Sequence, residues 1–393
     1  MNKNDFPVFK NDPTLVYLDS AATTLRPRSV VEAISRFSES SYGPIQRGLY
    51  PLSIQATQQY EAARGTVAEF IHAQKEEIVF TAGATDSLNL LCWSLSRQLK
   101  PDDVVLLSPL EHHSALLPWQ RASKELGFQL QFCELDSDGA IFIDSLASNV
   151  KILSLPLISN VTGTHLALQK ISKAVAKSCA TFILDVSQAV SHTSLDVRSL
   201  GCHFLAFSSH KMYGPTGIGI LWGDKKHLET LEPYRMGGEM VSSATATTYE
   251  LQDVPYRFEA GTPNPDGAIG VAAAVQYLNS IGMEEVSSHT RSMTSLLLDE
   301  LKAIDQVSII SKPSLESGLV SFVVEKIHPH DISELLGQKN ICIRAGQQCA
   351  GPAHQALALL ATCRASVGVY TTKKDIQKLS QALREIIFEV NNA

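Results

Sequence analysis

The sequence predicts an α/β fold, with a large domain built on a mostly parallel sheet and a smaller C-terminal α/β domain. Between Glu76 and Gly223, short apolar runs alternate with stretches of helical character. This alternation is typical of parallel strands whose connecting helices cover both faces of a sheet. After about Met283 the alternation ends, and a long helical stretch is followed by a few shorter strands. The chain therefore changes architecture once along its length.

The length of the chain supports the same division. A chain of 393 residues is longer than one ordinary hydrophobic core requires, so two domains are the natural expectation. No repeat, low-complexity tract or proline-rich linker marks the boundary, which we place near residue 280. We predict a large domain over residues 21–279 and a small domain that combines residues 1–20 with residues 280–393.

The individual elements follow from apolar runs bounded by glycine or polar residues. In the large domain, the predicted strands are Glu77–Thr81, Val104–Ser108, Lys151–Leu157, Thr181–Leu184, His203–Phe207 and Gly219–Trp222. The predicted helices between them include Ala84–Leu99, Leu116–Leu126 and Lys170–Lys177. In the small domain, we predict the helices Glu284–Ile304, Asp331–Gly337 and Lys373–Val390 and the strands Gly318–Val324, Ile341–Arg344 and Arg364–Val369. Asp331 is the predicted N-cap of its helix.

Composition and charge exclude several classes of function. The chain is 44% hydrophobic and 19% charged, as expected for a globular protein, and 33 basic against 40 acidic residues give a net charge of −7. This balance argues against nucleic acid as a partner, because phosphate neutralisation requires a basic face. No apolar run is long enough to span a bilayer, and the N-terminus has no signal-peptide core. We therefore expect a cytoplasmic protein that does not bind membranes.

The cysteines do not form a recognisable framework. Their number is odd, their spacing is scattered, and no Cys-x-x-Cys pair occurs, so neither a disulfide scaffold nor a zinc ribbon is expected. We expect most of the seven to be small buried residues. Cys349 differs from the others, because it lies in a loop rich in glycine and glutamine, five residues after Arg344. A nearby cation favours the thiolate form, although an idle loop thiol is the alternative.

Polar side chains follow five of the predicted strands. Because ligands of open parallel sheets bind beyond the carboxyl ends of the strands, these side chains should share one rim. In strand order, the residues are Gly83, Ala84 and Thr85; Glu111, His112 and His113; Ser159 and Asn160; Asp185 and Gln188; and Ser208, His210 and Lys211.

Lys211 suggests the chemistry of this rim. It follows the buried run Phe204–Phe207, beside hydroxyls and a histidine, and precedes a glycine-rich turn. A partly buried lysine has a lowered pKa and can form a Schiff base with an aldehyde such as pyridoxal phosphate. The alternative is a lysine at a strand end whose ammonium group extends to water.

The other polar residues suit the same cofactor. Gly83 and Thr85 open a helix whose N-terminus could bind a phosphate. Asp185 could keep a pyridine nitrogen protonated, and His112 could stack on the ring and carry protons. Asn160 and Gln188 could bind the ring oxygen of the cofactor. Asp185 could instead cap a helix, and His112 with His113 could bind a metal, although no second set of ligands completes such a site.

Taken together, the motifs resemble the SUF-type pyridoxal phosphate-dependent cysteine desulfurases, a group that includes selenocysteine lyases and cysteine sulfinate desulfinases. The resemblance runs in order from about Tyr17 to the C-terminus. It is carried by Gly83-Ala84-Thr85-Asp86-Ser87, Glu111-His112-His113, Ser159-Asn160-Val161-Thr162-Gly163, Asp185-Val186-Ser187-Gln188, Ser208-Ser209-His210-Lys211 and Arg344-Ala345-Gly346-Gln347-Gln348-Cys349-Ala350. Supporting segments are Tyr17-Leu18-Asp19-Ser20-Ala21-Ala22, Gly237-Gly238-Glu239-Met240, Phe258-Glu259-Ala260-Gly261-Thr262-Pro263-Asn264 and Cys363-Arg364-Ala365-Ser366.

The resemblance implies a class V aminotransferase-like chain of fold type I that binds pyridoxal phosphate and works as a homodimer with shared active sites. Lys211 matches the Schiff-base lysine, His112 the stacking residue, and Asp185 the partner of the pyridinium nitrogen. The remaining cofactor contacts implied by the resemblance are Ala84, Thr85, Ser208 and His210 at the phosphate, Gln188 and Asn160 at the ring oxygen, and Thr262 at the phosphate of the partner subunit.

For the substrate, the resemblance implies L-cysteine bound through Arg364, with Arg344 and Asn160 nearby, and a planar guanidinium fork suits a carboxylate. Cys349, on a loop of the small domain, matches the nucleophile that takes the sulfur as a persulfide. The sulfur would pass to an acceptor protein of the SufE type, for iron–sulfur cluster assembly or thiolation.

The chain departs from the family pattern at several positions, because Gln46, Tyr50 and Gln348 stand where histidines are common. Two alternatives therefore remain open at this stage. The chain could be a selenocysteine lyase or a cysteine sulfinate desulfinase, or it could be a non-catalytic partner that keeps the fold. Retention of Lys211 and Cys349 argues against the second alternative.

Overall fold

The computed structural model describes residues 2–136 and 138–392. The strands in chain order are β1 (Val16–Tyr17), β2 (Ile78–Thr81), β3 (Val104–Leu107), β4 (Gln129–Phe132), β5 (Glu134–Leu135), β6 (Ile141–Phe142), β7 (Val150–Pro156), β8 (Thr181–Asp185), β9 (Phe204–Ser208), β10 (Gly219–Gly223), β11 (Val241–Ala244), β12 (Tyr249–Leu251), β13 (Val307–Ile309), β14 (Leu319–Val324), β15 (Ile341–Cys342), β16 (Arg344–Gly346) and β17 (Thr362–Ser366). The α-helices are α1 (Pro7–Asn11), α2 (Arg28–Ser40), α3 (Pro51–Phe70), α4 (Ala84–Ser96), α5 (His113–Leu126), α6 (Leu168–Val175), α7 (Lys225–Leu228), α8 (Pro265–Ile281), α9 (Met283–Lys302), α10 (Pro329–Gln338), α11 (Gly351–Ala356) and α12 (Lys373–Asn391).

A seven-stranded sheet in the order β2-β10-β9-β8-β7-β3-β4 forms the centre of the large unit. The pairs from β9 to β4 are parallel, which confirms the predicted mostly parallel α/β sheet. Only β10 runs against its neighbours, β2 and β9. The sequence run that forms β10 could not reveal this direction, because an apolar strand buried on both faces has the same pattern in either orientation. The edge strand β4 was not predicted, because its alternating polar residues leave it mostly exposed.

Both faces of this sheet are buried. Alternate residues of each strand point to opposite faces, so Phe182 and Leu184 of β8 pack on one side and Ile183 on the other. Helix α8 covers the first face and helices α4 and α5 cover the second. The carboxyl ends of β2, β3, β7, β8 and β9 consequently open at the same edge, as predicted from the polar residues that follow them.

The second unit is an antiparallel sheet in the order β13-β14-β17-β16, covered by α9, α10 and α12. Its apolar core is separate from the cores of the large sheet and includes Val16 and Leu18 from the N-terminal region. Strand β1 reaches it by pairing in parallel with β15. Gly282, between α8 and α9, lies close to the boundary predicted from the sequence. The division into two domains remains a prediction.

Helix α10 begins two residues before the predicted start. Its N-cap is His328, whose side chain accepts a hydrogen bond from the His330 backbone nitrogen, and Pro329 occupies the first helical position. The prediction of Asp331 as the N-cap was therefore wrong. Asp331 lies in the first turn instead, where its negative charge stabilises the positive end of the helix.

No helix in the described residues is both long and apolar enough to cross a bilayer.

A buried ion pair connects α3 to the segment that leads to Thr262. The Arg64 guanidinium donates to both carboxylate oxygens of Glu259, at 2.6 and 2.9 Å. Glu259 also accepts hydrogen bonds from the Tyr60 hydroxyl and the Phe80 backbone nitrogen. This carboxylate therefore joins three parts of the chain, namely α3, β2 and the segment that leads to Thr262.

Replacing Glu259 with glutamine is expected to lower the apparent free energy of unfolding by about 3 kcal/mol, because the buried Arg64 charge then keeps only the partly exposed Glu61 as a counterion. Urea unfolding followed by circular dichroism measures the change. The control is Glu229→Gln, which removes an exposed pair with Lys225 and should cost less than about 1 kcal/mol. Equal losses in both variants would contradict the assignment of a structural role to the buried pair.

His192 is a buried imidazole, and burial lowers its pKa to about 4. The unfolded chain therefore binds the proton more readily than the folded chain, so stability falls as the pH drops below the ordinary histidine pKa of about 6.5 toward about 4. On going from about pH 7.5 to about pH 5.5, the wild type should lose about 1 kcal/mol more than His192→Gln. Urea unfolding at both pH values measures this, with the exposed His72→Gln as control. An equal loss of unfolding free energy between the two pH values in wild type and His192→Gln would contradict the prediction.

Candidate active site

A cavity of about 410 Å³ lies at the carboxyl edge of the large sheet. Residues from both units and from the N-terminal segment surround it. The lining residues are Ala21, Ala22, Ala84, Thr85, His112, Ser114, Asn160, Asp185, Ser187, Ser208, His210, Lys211, Arg344, Ala345, Gln348, Cys349 and Arg364. Eleven of the thirteen site residues predicted from the sequence are in this set, and the other two are Gln188 and Thr262.

Backbone and hydroxyl donors cluster where α4 begins. The Ala84 backbone nitrogen lies 2.8 Å from Ser208 Oγ, and Thr85 Oγ1 lies 2.7 Å from Ser114 Oγ. This close packing depends on Gly219, because a Cβ there would lie 2.4 Å from the Cα of Gly83. The first turn of the 13-residue helix α4 thus brings backbone N–H groups and hydroxyls to one end of the cavity. Such a cluster suits a phosphate group.

Lys211 ends a short 3₁₀ turn that follows β9 directly. Desolvation lowers the pKa of its ammonium group, and the positive charge of Arg364 acts in the same direction, whereas Asp185 opposes the shift. The preceding residue, His210, contacts Thr23 through Nδ1 at 3.2 Å, and burial lowers its pKa to about 4. The lysine is therefore held in a setting that favours the neutral, nucleophilic amine.

Asp185 ends β8, and its side chain accepts a hydrogen bond of 2.8 Å from the Ser187 backbone nitrogen. Gln188, one turn later, does not line the cavity: its amide donates to the Ala21 carbonyl oxygen at 2.9 Å. It therefore supports the N-terminal segment at the cavity wall. Burial, followed by the charge of Asp185, raises the pKa of the neighbouring Glu111 carboxyl group well above its usual range and so favours its neutral form.

His112 is the N-cap of α5, and its Nδ1 accepts a hydrogen bond from the Ser114 backbone nitrogen at 3.1 Å. Because Nδ1 accepts, the ring hydrogen is on Nε2. Burial is the main cause that lowers the pKa of His112 to about 4, and the charge of Lys211 adds to the shift. A neutral imidazole with its hydrogen at Nε2 therefore lines the cavity.

Two arginines from the second unit meet the cavity wall. The buried Arg364 donates from Nη1 to the Asn160 carbonyl oxygen at 2.8 Å, and burial lowers its pKa to about 10. Arg364 and the more exposed Arg344 each lie 3.6 Å from a carboxylate oxygen of Asp19. Asp19 lies in one of the segments that support the family resemblance, but no role was predicted for it from the sequence. Its position between two arginines is visible only when β1 is paired with β15.

Cys349 is exposed at the cavity mouth, on the loop between β16 and α11. Gln348 and Cys349 have φ angles of +45° and +55°, which are uncommon for residues with a side chain. The His113 backbone nitrogen donates to the Cys349 carbonyl oxygen at 2.7 Å, and Asn160 Nδ2 donates to the Gln348 carbonyl oxygen at 2.8 Å. The nucleophile predicted from the sequence and Lys211 thus line the same cavity.

Thr262 lies outside the cavity of its own chain. It is exposed and lines a separate depression with residues of α4 and the Tyr234 region. The prediction gave it a role in the partner's site, and this remains a prediction.

The described residues contain no group of three or more histidine, cysteine or acidic side chains that could hold a metal ion. The ring centroids of His112 and His113 lie 6.4 Å apart, and Nε2 of His113 accepts from the Gly351 backbone nitrogen instead. All seven cysteines are free.

The cavity and the fold together define a class of protein. A half-buried lysine after a strand, a carboxylate in the cavity lining, a helix start with backbone and hydroxyl donors, and an imidazole fit the aldehyde, pyridine nitrogen, phosphate and ring of pyridoxal phosphate. The chain has the fold of the type I enzymes that use this cofactor.

Comparisons with known proteins narrow this class. Residues 16–379 match the class V aminotransferase family. The chain is 39% identical over 392 residues to a probable cysteine desulfurase of Halalkalibacterium halodurans, covering 98% of this chain and 96% of that protein. Among solved structures, the apo cysteine desulfurase of Thermococcus onnurineus NA1 superimposes with a TM-score of 0.92 at 35% identity, covering 98% and 97% of the two chains. The S-sulfonic acid form of the Escherichia coli cysteine desulfurase CsdA gives 0.90 at 34% identity with the same coverage.

The chain belongs to the class V aminotransferase family and, within it, to the pyridoxal phosphate-dependent cysteine desulfurases. The family resemblance inferred from the motifs, the fold type and the cofactor are thereby confirmed.

Proposed function

We propose that this chain converts L-cysteine to L-alanine and holds the released sulfur as a persulfide on Cys349. The observation that carries the proposal is that Cys349, Lys211 and Arg364 line one cavity, so a thiol, an amine and a carboxylate-binding group can act on a single small amino acid. When bound, pyridoxal phosphate supplies an electrophilic carbon and an electron-withdrawing ring, which make the Cα–H bond of an amino acid acidic.

In the proposed mechanism, the two arginines orient the substrate. A guanidinium fork binds a carboxylate in a defined plane, and Arg364 is fixed by Asn160 and Asp19 with its charge largely desolvated. Asp19 attracts Arg344 as well, so the two cations share one counterion and retain a net positive charge toward the substrate. Arg364 is the proposed carboxylate clamp and Arg344 the proposed assistant near the nucleophile loop.

Proton handling falls to Lys211 and His112. The neutral Nζ of Lys211 can take the Cα proton, because desolvation disfavours its charged form. His112 presents a hydrogen at Nε2 and can move it toward the substrate or the cofactor ring. Asp185, across the cavity, is the proposed partner of the pyridinium nitrogen. Ala84, Thr85, Ser208 and His210 are the proposed phosphate contacts.

Sulfur transfer falls to Cys349. Its thiolate attacks the sulfur of the bound cysteine, an S–S bond forms, and the Cβ–S bond breaks. The electron pair of the broken bond stays with the carbon skeleton, which takes up a proton and leaves as alanine. The exposure of Cys349 at the cavity mouth supports transfer of the persulfide to an acceptor protein, for which we propose the SufE type, in iron–sulfur cluster assembly or thiolation.

A homodimer with shared sites is part of the proposal. Thr262 is exposed and cannot contact the cavity of its own chain, so a phosphate contact from it requires a second subunit. Exposed apolar side chains support a partner surface: Leu49 is 95% exposed, and Tyr42, Tyr50 and Tyr249 are about half exposed or more. Sedimentation equilibrium tests the dimer. The cytoplasmic location stays a prediction, tested by cell fractionation.

The test of the function is release of alanine and sulfide from cysteine in the presence of a thiol reductant, with and without an acceptor protein. Equal amounts of alanine and sulfide, and faster turnover with the acceptor, are expected. A colourless purified protein without either product would favour the non-catalytic alternative.

A selenocysteine lyase or cysteine sulfinate desulfinase activity is the second candidate. Selenium and sulfinate can leave without attack by a cysteine, so Cys349→Ala should spare those substrates while it removes activity on cysteine. Comparable rates of the wild type on all three substrates would leave cysteine as one substrate of a broader enzyme.

A further inference from the structure

The loop that carries Cys349 is held in an unfavourable backbone conformation by contacts behind it. Two consecutive residues with side chains, Gln348 and Cys349, are in the left-handed region. Residues with side chains keep this conformation only where the surrounding contacts offset its cost. The surrounding contacts therefore decide where the sulfur atom lies.

The side chain of Gln348 is fixed on the side away from solvent by Thr362, the first residue of β17. Gln348 Nε2 donates to the Thr362 carbonyl oxygen at 3.1 Å, and the Thr362 hydroxyl lies 3.0 Å from Gln348 Oε1. This two-point contact ties the loop to the strand that also carries Arg364, two residues further on. Strand β17 thus fixes the loop of the proposed nucleophile through Thr362 and carries the proposed carboxylate clamp, Arg364.

Behind this contact lies His354, a fully buried imidazole on α11 that does not line the cavity. Its Nδ1 lies 3.1 Å from the Ala350 carbonyl oxygen, and its Nε2 lies 3.2 Å from the Thr362 hydroxyl. A carbonyl oxygen only accepts, so Nδ1 must carry a hydrogen. In the neutral ring Nε2 is an acceptor, and the single hydroxyl hydrogen of Thr362 is then shared between Nε2 and Gln348 Oε1. His354 therefore contacts the residue that follows Cys349 and, through Thr362, the residue that precedes it.

We infer that His354, acting through Thr362 and Gln348, is a positioning residue for Cys349. It does not touch the reacting atoms. Its imidazole bridges the two ends of the turn, and its removal deletes the side-chain contacts with the Ala350 carbonyl oxygen and the Thr362 hydroxyl. The inference rests on the proposed role of Cys349 as the nucleophile and goes beyond it, because it names what sets the position of the sulfur atom.

This role predicts a selective defect. A misplaced nucleophile slows sulfur transfer, whereas the proposed binding of cysteine depends on the arginines and the cofactor, and neither His354 nor Thr362 lines the cavity. A displacement of about 1 Å can cost about a hundredfold in rate. We therefore expect sulfur transfer to slow by roughly tenfold to a hundredfold, with little change in cysteine affinity.

The experiment uses the holoenzyme with His354→Leu, Thr362→Val and Thr362→Ser. Valine matches threonine in shape but lacks the hydroxyl, and serine keeps the hydroxyl, so the third variant is the conservative rescue. Three quantities are measured: the rate of persulfide formation in a single turnover, the cysteine concentration dependence of the cofactor absorbance change, and the rate of iodoacetamide alkylation of Cys349. The exposed Cys179 serves as the internal reference thiol for alkylation.

The inference predicts that Thr362→Val and His354→Leu slow persulfide formation and change the alkylation rate of Cys349 but not of Cys179. Cysteine affinity should stay within about twofold of the wild type, and Thr362→Ser should restore most of the lost rate. Should His354→Leu fail to fold, Thr362→Val alone decides the question. Wild-type persulfide formation in Thr362→Val, or a parallel loss of cysteine affinity, would overturn the inference.

The nucleophile role of Cys349 and the positioning role of His354 can be refuted independently. Normal alanine production by a variant without the Cys349 thiol would refute the nucleophile assignment, whatever the Thr362 variants do. A normal Thr362→Val enzyme beside an inactive Cys349 variant would refute only the positioning role.

Discussion

Replacing Lys211 with alanine is expected to abolish cysteine desulfuration, with a loss of at least about a thousandfold. The amine has two roles in the proposed mechanism, because it forms the bond to the cofactor aldehyde and takes the Cα proton of the substrate. No other lysine lines the cavity in the described residues. The assay is alanine formation, with the absorption spectrum of the dialysed protein as a second readout. The characteristic absorbance of the lysine-bound cofactor should be lost.

The matched control is Lys173→Ala, which removes an exposed lysine on α6. Its activity and spectrum should equal those of the wild type. Retention of the lysine-bound cofactor spectrum in Lys211→Ala would show that another amine forms the bond and would contradict the site as described.

Replacing Cys349 with serine is expected to reduce alanine formation from cysteine by at least about a hundredfold, while the cofactor spectrum stays unchanged. A hydroxyl group is far less nucleophilic than a thiolate toward sulfur, whereas none of the contacts expected for the cofactor is made by the Cys349 side chain. Cysteine should still bind, because Arg364 is untouched. The assay pairs product formation with a titration of the absorbance change that cysteine causes.

Cys179→Ser is the control for this prediction, since Cys179 is the other exposed cysteine. It should leave turnover unchanged. A Cys349→Ser enzyme that forms alanine at the normal rate would show that sulfur leaves without a protein thiol, as expected for the sulfinate or selenium chemistry.

The sequence predicted the rim of the cavity well, because the physical rule behind it is simple. Strands with the same direction end at the same edge, so polar residues after Thr81, Leu107 and Asp185 must meet there whatever the details of the loops. The direction of β10 was inaccessible to the same reasoning, since its pattern reports burial and not orientation. The edge strand β4 was not predicted, because exposed strands lack the run of apolar residues on which the prediction depends.

Other features depended on contacts between distant parts of the chain. Asp19 lies between Arg344 and Arg364 only because β1 pairs with β15, and a two-residue strand has no reliable signal. The contact of Gln188 with the ring oxygen of the cofactor stays a prediction. Its amide nitrogen donates to the Ala21 carbonyl oxygen, a contact that the local sequence does not show.

The role inferred for His354 also depends on contacts that the sequence does not show. A lone histidine in an apolar segment has no local signature, and its significance emerges only from its distances to Ala350 and Thr362. Gln348 was noted in the sequence as a departure from the family pattern. In the structure, it is the residue that links the nucleophile loop to that buried imidazole.

The most direct test of the central claim is to expose the holoenzyme to a stoichiometric amount of cysteine without reductant, quench it, and map the added sulfur by peptide mass spectrometry. The account predicts one additional sulfur atom on the peptide that contains Cys349, in an amount equal to the alanine formed. Alanine formation with the sulfur on another cysteine, or with no sulfur on the protein, would contradict it.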